Sequence, residues 1–154
     1  MRLAPLTCHQ ASELGTSFAA INPWASYPYP ASALEAYLAL GEAGAPRFGI
    51  NFQGTLAGAL GLRLAWLRGP YVQFLGILPP FQGHGIGGLV IAWLEEEART
   101  QGERNLWVAA SDFNTDALRF YERHGFVHVA ALAGLVRDER TEILLRKALR
   151  VGRE

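Results

Sequence analysis

The chain has 154 residues, the size of one domain, and is 50% hydrophobic and 11% aromatic, enough apolar material for a core without staples. Its 14 Lys and Arg balance 14 Asp and Glu, so no net basic field exists to hold a nucleic-acid backbone. The single cysteine, Cys8, excludes an internal disulfide and a cysteine-rich metal centre, and apolar runs such as Val129–Val136 fall far short of the ~20 residues that span a bilayer.

Residues 2–6 read as a short first strand. Thr7-Cys8-His9-Gln10 fits a capping box, followed by Ala11, Leu14, Phe18 and Ile21 at helical spacing until Asn22-Pro23 stops the helix. A second box, Ser32-Ala33-Leu34-Glu35, opens a helix that Gly41 or Gly44 ends. From Pro46 the period changes to two: Phe48, Ile50 and Phe52 alternate with Arg47, Gly49 and Asn51. Gln53-Gly54 turns into a strand carrying Leu60, Leu62, Leu64 and Trp66, and Arg68-Gly69-Pro70 turns again into Tyr71–Ile77. Residues 87–101 form a helix with Val90, Trp93 and Leu94 on one face, a Glu95/Arg99 pair outside and Gly102 as its C-cap. Asn105–Ala110 is a strand, Thr115–His124 a helix, and Phe126–Ala130 and Glu142–Leu149 the last strands. The order β α α β β β α β α β β predicts an α+β domain with a mixed sheet over residues 1–154. The start, Met1–Thr7, lacks the apolar core of a signal peptide, so a soluble cytoplasmic protein is expected.

The most informative segment is Leu75-Gly76-Ile77-Leu78-Pro79-Pro80-Phe81-Gln82-Gly83-His84-Gly85-Ile86-Gly87-Gly88. A strand, closely spaced glycines and then a helix start present free N–H groups at the positive end of the helix dipole, an anion cradle suited to phosphates. Gly83-x-Gly85-x-x-Gly88 fits the spacing of a dinucleotide-binding fold, but Pro79–Gln82 separate strand from glycines and an antiparallel meander comes first.

Taken instead from Gln82, the loop reads Gln82-x-x-Gly85-x-Gly87 and resembles the acetyl-CoA pyrophosphate loop of the GNAT superfamily of N-acetyltransferases, Arg/Gln-x-x-Gly-x-Gly/Ala. Leu75-Gly76-Ile77-Leu78-Pro79 looks like the strand end that precedes that loop. Asn114-Thr115-Asp116-Ala117-(x)3-Tyr121-(x)3-Gly125-Phe126 looks like the family's second signature, Asn-x-x-Ala-x-x-x-Tyr-x-x-x-Gly-Phe. The resemblance is strong over about residues 71–130. It implies a mixed, mostly antiparallel GNAT-like central sheet flanked by helices, with acetyl-CoA as co-substrate and no metal.

It also implies roles. The backbone of Gln82, Gly83, His84, Gly85, Ile86 and Gly87 would hold the pyrophosphate, with the His84 side chain exposed. Backbone groups of Leu75 and Ile77 would pair with the pantetheine arm as an added strand, and Gly76 would ease a bulge there. Tyr121 would protonate the departing thiolate; against ordinary values of about 10 for a phenol and 8.5 for a thiol, this is uphill unless the thiolate is desolvated. Without the motif, Tyr121 reads as core. Asn114 would contact pantetheine or pyrophosphate, or serve only as an N-cap. Trp24, Tyr27 and Tyr29, in the uncharged segment Asn22–Pro30, and Gln73 would face an acceptor amine; the plainer alternative packs those aromatics on the core. His9, His124 and His128 lack metal-ligand spacing. No general base is legible: ribosomal-protein alanine acetyltransferases carry a glutamate where this chain has Ala109.

The function expected is direct transfer of acetyl from acetyl-CoA to a primary amine of a small molecule or peptide in a ternary complex, without nucleic acid or membrane; a homodimer is compatible with the chain. The alternatives are a non-catalytic acyl-CoA sensor on the same fold and a dinucleotide-binding enzyme.

Overall fold

Thr7 caps the first helix by the reciprocal arrangement its sequence predicts: the Gln10 N–H donates to Thr7 Oγ1 at 3.1 Å, and the Thr7 N–H donates to Gln10 Oε1 at 3.1 Å. The computed structural model describes residues 1–27 and 29–150. Among these residues, seven strands and four α-helices follow in the predicted order: β1 (Arg2–Pro5), α1 (Cys8–Ala19), α2 (Ala31–Ala39), β2 (Arg47–Phe52), β3 (Thr55–Trp66), β4 (Gly69–Ile77), α3 (Ile86–Thr100), β5 (Asn105–Ser111), α4 (Thr115–Arg123), β6 (Val127–Ala133) and β7 (Thr141–Ala148). The strands form one mostly antiparallel sheet in the order β1-β2-β3-β4-β5-β7-β6, with β4 and β5 parallel. Their ladder holds two pairs, Tyr71↔Trp107 and Val72↔Val108, although β4 runs on to Ile77 and β5 to Ser111.

Two local expectations are corrected. Helix α2 begins at Ala31 because the carbonyl of Pro30, an extended N-cap, accepts the Ala33 and Leu34 N–H groups. Ser32 therefore sits inside the first turn, and its capping box does not form. The helix also ends at Ala39, before either glycine. The second hairpin turns at Leu67 and Arg68, both at positive φ (41° and 63°), one residue earlier than Arg68-Gly69-Pro70. Gly69 is instead the first residue of β4, where the Asn105 carbonyl occupies the space of any side chain. The Asn105 Nδ2 donates to the Arg68 carbonyl at 3.1 Å and the Trp107 Nε1 to the Leu67 carbonyl at 3.0 Å, bracing this turn from β5.

The chain falls into two compact units that share β3, β4 and α3. The first contains Met1–Arg63 and Gln73–Leu89. Its core joins α1 and α2 through Ala11, Leu14, Phe18, Leu34 and Leu38 to Ala59 and Phe74. Phe18 meets Phe74 edge-on at 5.2 Å. The second unit contains Leu64–Val72 and the chain from Val90 on. Val90, Ile91 and Leu94 of α3, Leu106 and Val108 of β5, Phe126 and Leu145 are buried there. On α3, Glu95 pairs with Arg99 at 2.6 Å, as the sequence spacing predicts, and also with Lys147 of β7 at 2.6 Å.

Candidate active site

In the first unit the glycine loop hangs from the end of β4. The Leu78 N–H donates to the Ala57 carbonyl at 2.8 Å, and Pro79–Phe81 make one 3-10 turn closed by the Gln82 N–H on Pro79 O. The Gln82 side chain folds back, Nε2 donating to the Ile77 carbonyl at 2.9 Å. His84 Nδ1 lies 3.1 Å from the Phe81 carbonyl and 3.0 Å from that of Gln82. Two acceptors at one nitrogen require Nδ1 to carry the proton. The imidazole is exposed and thus ties the loop from outside.

Gly83 and Gly85 adopt φ of 79° and 75°, with nothing within 4 Å of an added Cβ at either. Leu89 is the first α3 residue whose N–H is taken, by the Gly85 carbonyl, so the first-turn N–H groups point out of the helix end. Gly83 and Gly85 thus leave open space at the positive end of a 15-residue helix. Ile86 is 2% exposed, so its backbone alone is offered; Gly87 lies in the first helical turn without a positive φ.

Leu75 and Ile77 are half-buried, as strand residues with packed side chains should be. Gly76 is closed in: an added Cβ would lie 2.6 Å from the Phe18 ring, and its carbonyl fills the space beside Gly58. Its role is close approach, not an unusual φ.

Of the residues expected to face an acceptor, Trp24 stacks on Phe74 at 4.7 Å and touches Phe18 at 5.0 Å, so it is part of the core's rim. Tyr27 is buried and meets the exposed Tyr29 at 5.8 Å. Pro28 lies outside the described residues. Gln73 is exposed, and its Oε1 accepts from the Tyr37 hydroxyl at 3.3 Å. The Arg47 guanidinium lies 4.0 Å over the Tyr37 ring.

Asn114 and Tyr121 belong to the second unit. Asn114 is the N-cap of α4, its Oδ1 accepting from the Ala117 N–H at 3.3 Å. Gly125, at φ 89°, follows the helix end as predicted. Tyr121 is buried, its ring edge-on to Phe120 at 5.1 Å and Phe126 at 5.4 Å. Burial first, then the neighbouring Tyr71 phenol, pushes its pKa well above the ordinary phenol value. Such a phenol stays protonated across the physiological range.

The sequence did not single out a buried polar pair in this unit. Ser111 closes β5 opposite Glu142 of β7, and its hydroxyl lies 3.1 Å from both carboxylate oxygens. They are 4% and 7% exposed. Tyr71 is pushed above the ordinary phenol value by burial and then by the Glu142 carboxylate. No sequence pattern marks this pair, because it exists only through the β5–β7 register.

Comparison with known proteins agrees with the element order. The model of the Acetyltransferase (GNAT) family matches residues 11–126. Acetyltransferase Atu2258 of Agrobacterium fabrum is 40% identical over 70 residues, 46% of this chain and 47% of that protein. The aminoalkylphosphonate N-acetyltransferase of Salmonella typhimurium is 42% identical over 55 residues, 36% of each. The chain thus spans less than half the length of these curated relatives. A crystal structure of an aminoglycoside 6'-N-acetyltransferase complexed with coenzyme A superposes with a TM-score of 0.75 at 15% identity, covering 100% of both chains.

Proposed function

Because the chain belongs to the GNAT family of acetyltransferases, we propose that it is a single-domain enzyme, residues 1–154, that transfers the acetyl group of acetyl-CoA to a primary amine. The observation that carries this reading is the cradle at Gln82–Gly87, where exposed N–H groups and the open space at Gly83 and Gly85 suit a pyrophosphate. Acetyl-CoA supplies the activated thioester. Gln82, Gly83, His84, Gly85, Ile86 and Gly87 hold its pyrophosphate through their backbone. Leu75 and Ile77, on a stretch of β4 beyond its ladder with β5, offer backbone groups to the pantetheine amides.

The acceptor amine attacks the thioester carbonyl directly, and Tyr121 gives its proton to the departing thiolate. The raised phenol pKa makes this transfer effective only to a thiolate that is itself poorly solvated. Asn114 already caps α4, so any contact with the cofactor is shared with that duty. The acceptor is a small molecule or peptide amine, and the name of the aminoalkylphosphonate relative favours the small molecule. Gln73 and Tyr29, being exposed, meet it; Trp24 and Tyr27 shape the wall from behind.

The test combines binding and turnover. Acetyl-CoA at about 100 times its Kd should stabilise the protein by ~2.7 kcal/mol in thermal unfolding, and NAD(H) at the same concentration should not. Thiol release should then appear with at least one member of a panel containing 2-aminoethylphosphonate, kanamycin, spermidine and an alanine-initiated peptide. Stabilisation by NAD(H) alone would sink the reading. Tight acetyl-CoA binding with no turnover would replace it with an acyl-CoA sensor.

A further inference from the structure

Of the 14 Lys and Arg in this chain, Lys147 alone is a lysine. The difference matters beside acetyl-CoA. An arginine guanidinium keeps its charge at any pH a protein meets, whereas a lysine amine that has lost its proton attacks a thioester. The Lys147 stem, on β7, lies along Gly125, its Cε 3.3 Å from where a side chain on that residue would begin. Its Nζ donates to Glu95 Oε2 of α3 at 2.6 Å, and the two side chains are only 22% and 16% exposed. Arg99 takes the other carboxylate oxygen at 2.6 Å. His124, at the end of α4, is pushed below its ordinary value by burial first and then by the charges of Lys147 and Arg123. The amine therefore sits as an ammonium against the Glu95 carboxylate, with Arg99 and His124 as its other ionisable neighbours.

We infer that Lys147 is the one side-chain amine of this chain open to acetylation, and that its pairing with Glu95 keeps it unreactive toward the acetyl-CoA the protein works with. The meaning of this inference rests on the acetyl-CoA reading, but the reaction itself needs no binding site, since acetyl-CoA arrives from solution. Acetylation begins with loss of an Nζ proton to solvent and rupture of the hydrogen bond to Glu95. The freed lone pair forms an N–C bond to the thioester carbonyl carbon, and the C–S bond breaks with its electron pair leaving on sulfur. The nitrogen gives a second proton to solvent and the thiolate takes one back. One ammonium and one acetyl-CoA give one acetyl-lysine, one CoA thiol and one proton. Glu95 opposes the first step twice: its charge favours the ammonium, and its oxygen holds the nitrogen that must turn away. Acetyl-lysine is neutral, so Glu95 would be left to Arg99.

The test incubates the full chain with excess acetyl-CoA at about pH 8, beside a peptide carrying one lysine, and follows Lys147 by peptide mass spectrometry. Hydroxylamine treatment first removes any thioester formed on Cys8. Wild-type Lys147 should react at least about tenfold more slowly than the peptide, a comparison that needs no variant. Glu95→Gln keeps the size and removes the charge, and Lys147 should then react at least about tenfold faster than in wild type. Arg99→Gln loosens the same cluster but leaves the Lys147–Glu95 pair, so its rate should stay within about threefold of wild type. Wild-type Lys147 reacting as fast as the peptide overturns the inference. So does a folded Glu95→Gln that reacts like wild type, or an Arg99→Gln that gains as much as Glu95→Gln, which would trace the rate to general loosening. All three results leave acetyl transfer standing. Failure of acetyl-CoA to stabilise the folded protein removes that reading instead, and leaves the Lys147 rates as they are.

Discussion

The carbonyl of Gly76 occupies the space that a side chain on Gly58 would need, so β3 and β4 approach at a point where only glycine fits. Gly58→Ala must therefore push the Gly76 carbonyl aside. Since Gly76 is also wedged against Phe18 and Phe74, the strand has little room to yield. The expected cost is about 2 kcal/mol, typical of overpacking, or a melting temperature lower by roughly 4–8 °C. Thermal unfolding without ligand measures it; an unchanged melting temperature would mean that β4 is not held this tightly.

Gly85→Val tests the cradle. Its φ of 75° disfavours a β-branched residue, and the open space around it is what a phosphate would fill. The Kd for CoA, by calorimetry, should rise at least about tenfold, with a smaller loss of stability. Wild-type affinity in the folded variant would place the phosphates elsewhere. Gly87, without a positive φ, should be sensitive only through the bulk of a new side chain.

Tyr121→Phe keeps the ring between Phe120 and Phe126 and removes the proton. Turnover should fall ~100-fold, about 2.7 kcal/mol of transition-state stabilisation, with acetyl-CoA affinity unchanged. The loss should shrink for a thioester with a more acidic leaving thiol. Equal turnover by both proteins with every acceptor would reduce Tyr121 to a core residue.

Glu95 gives a pH signature. Burial alone would raise its pKa, but the hydrogen bond and charge of Lys147, followed by Arg99, outweigh it and leave the carboxyl below its ordinary value. A depressed folded pKa contributes stability that is present above the unfolded value, about 4.3, and is lost as pH falls through the folded one. Glu95→Gln should therefore be less stable than wild type at pH 7, and the difference should close on acidification below about pH 4. A gap independent of pH, in urea titrations, would mean that the residue acts by packing.

Much of this was legible in the residues themselves. The Thr7 box, the alternation through Phe48–Phe52 and the helical face of Val90–Leu94 are local patterns, and each formed its element. Ser32 misled because Pro30 offers its carbonyl to the helix first. Gly69 looked like a turn residue, whereas its missing side chain makes room for Asn105, 36 positions away. Glu142 was invisible for the same reason: its partner Ser111 is 31 positions distant and is brought opposite only by strand pairing. Periodicity reports what a residue does to its own element, and nothing about which strand will lie beside it.

The brace on the β3–β4 turn has a consequence for the newborn chain. Leu67 and Arg68 hold left-handed backbone angles without glycine's freedom, and the groups that secure them arrive late: Trp107 follows Leu67 by 40 positions. At about 5–20 residues per second of synthesis, that is a wait of ~2–8 s. Through this interval the emerging hairpin has both its strands and no clasp at its tip. The clasp can close over the two carbonyls only once Asn105 and Trp107 have left the ribosome.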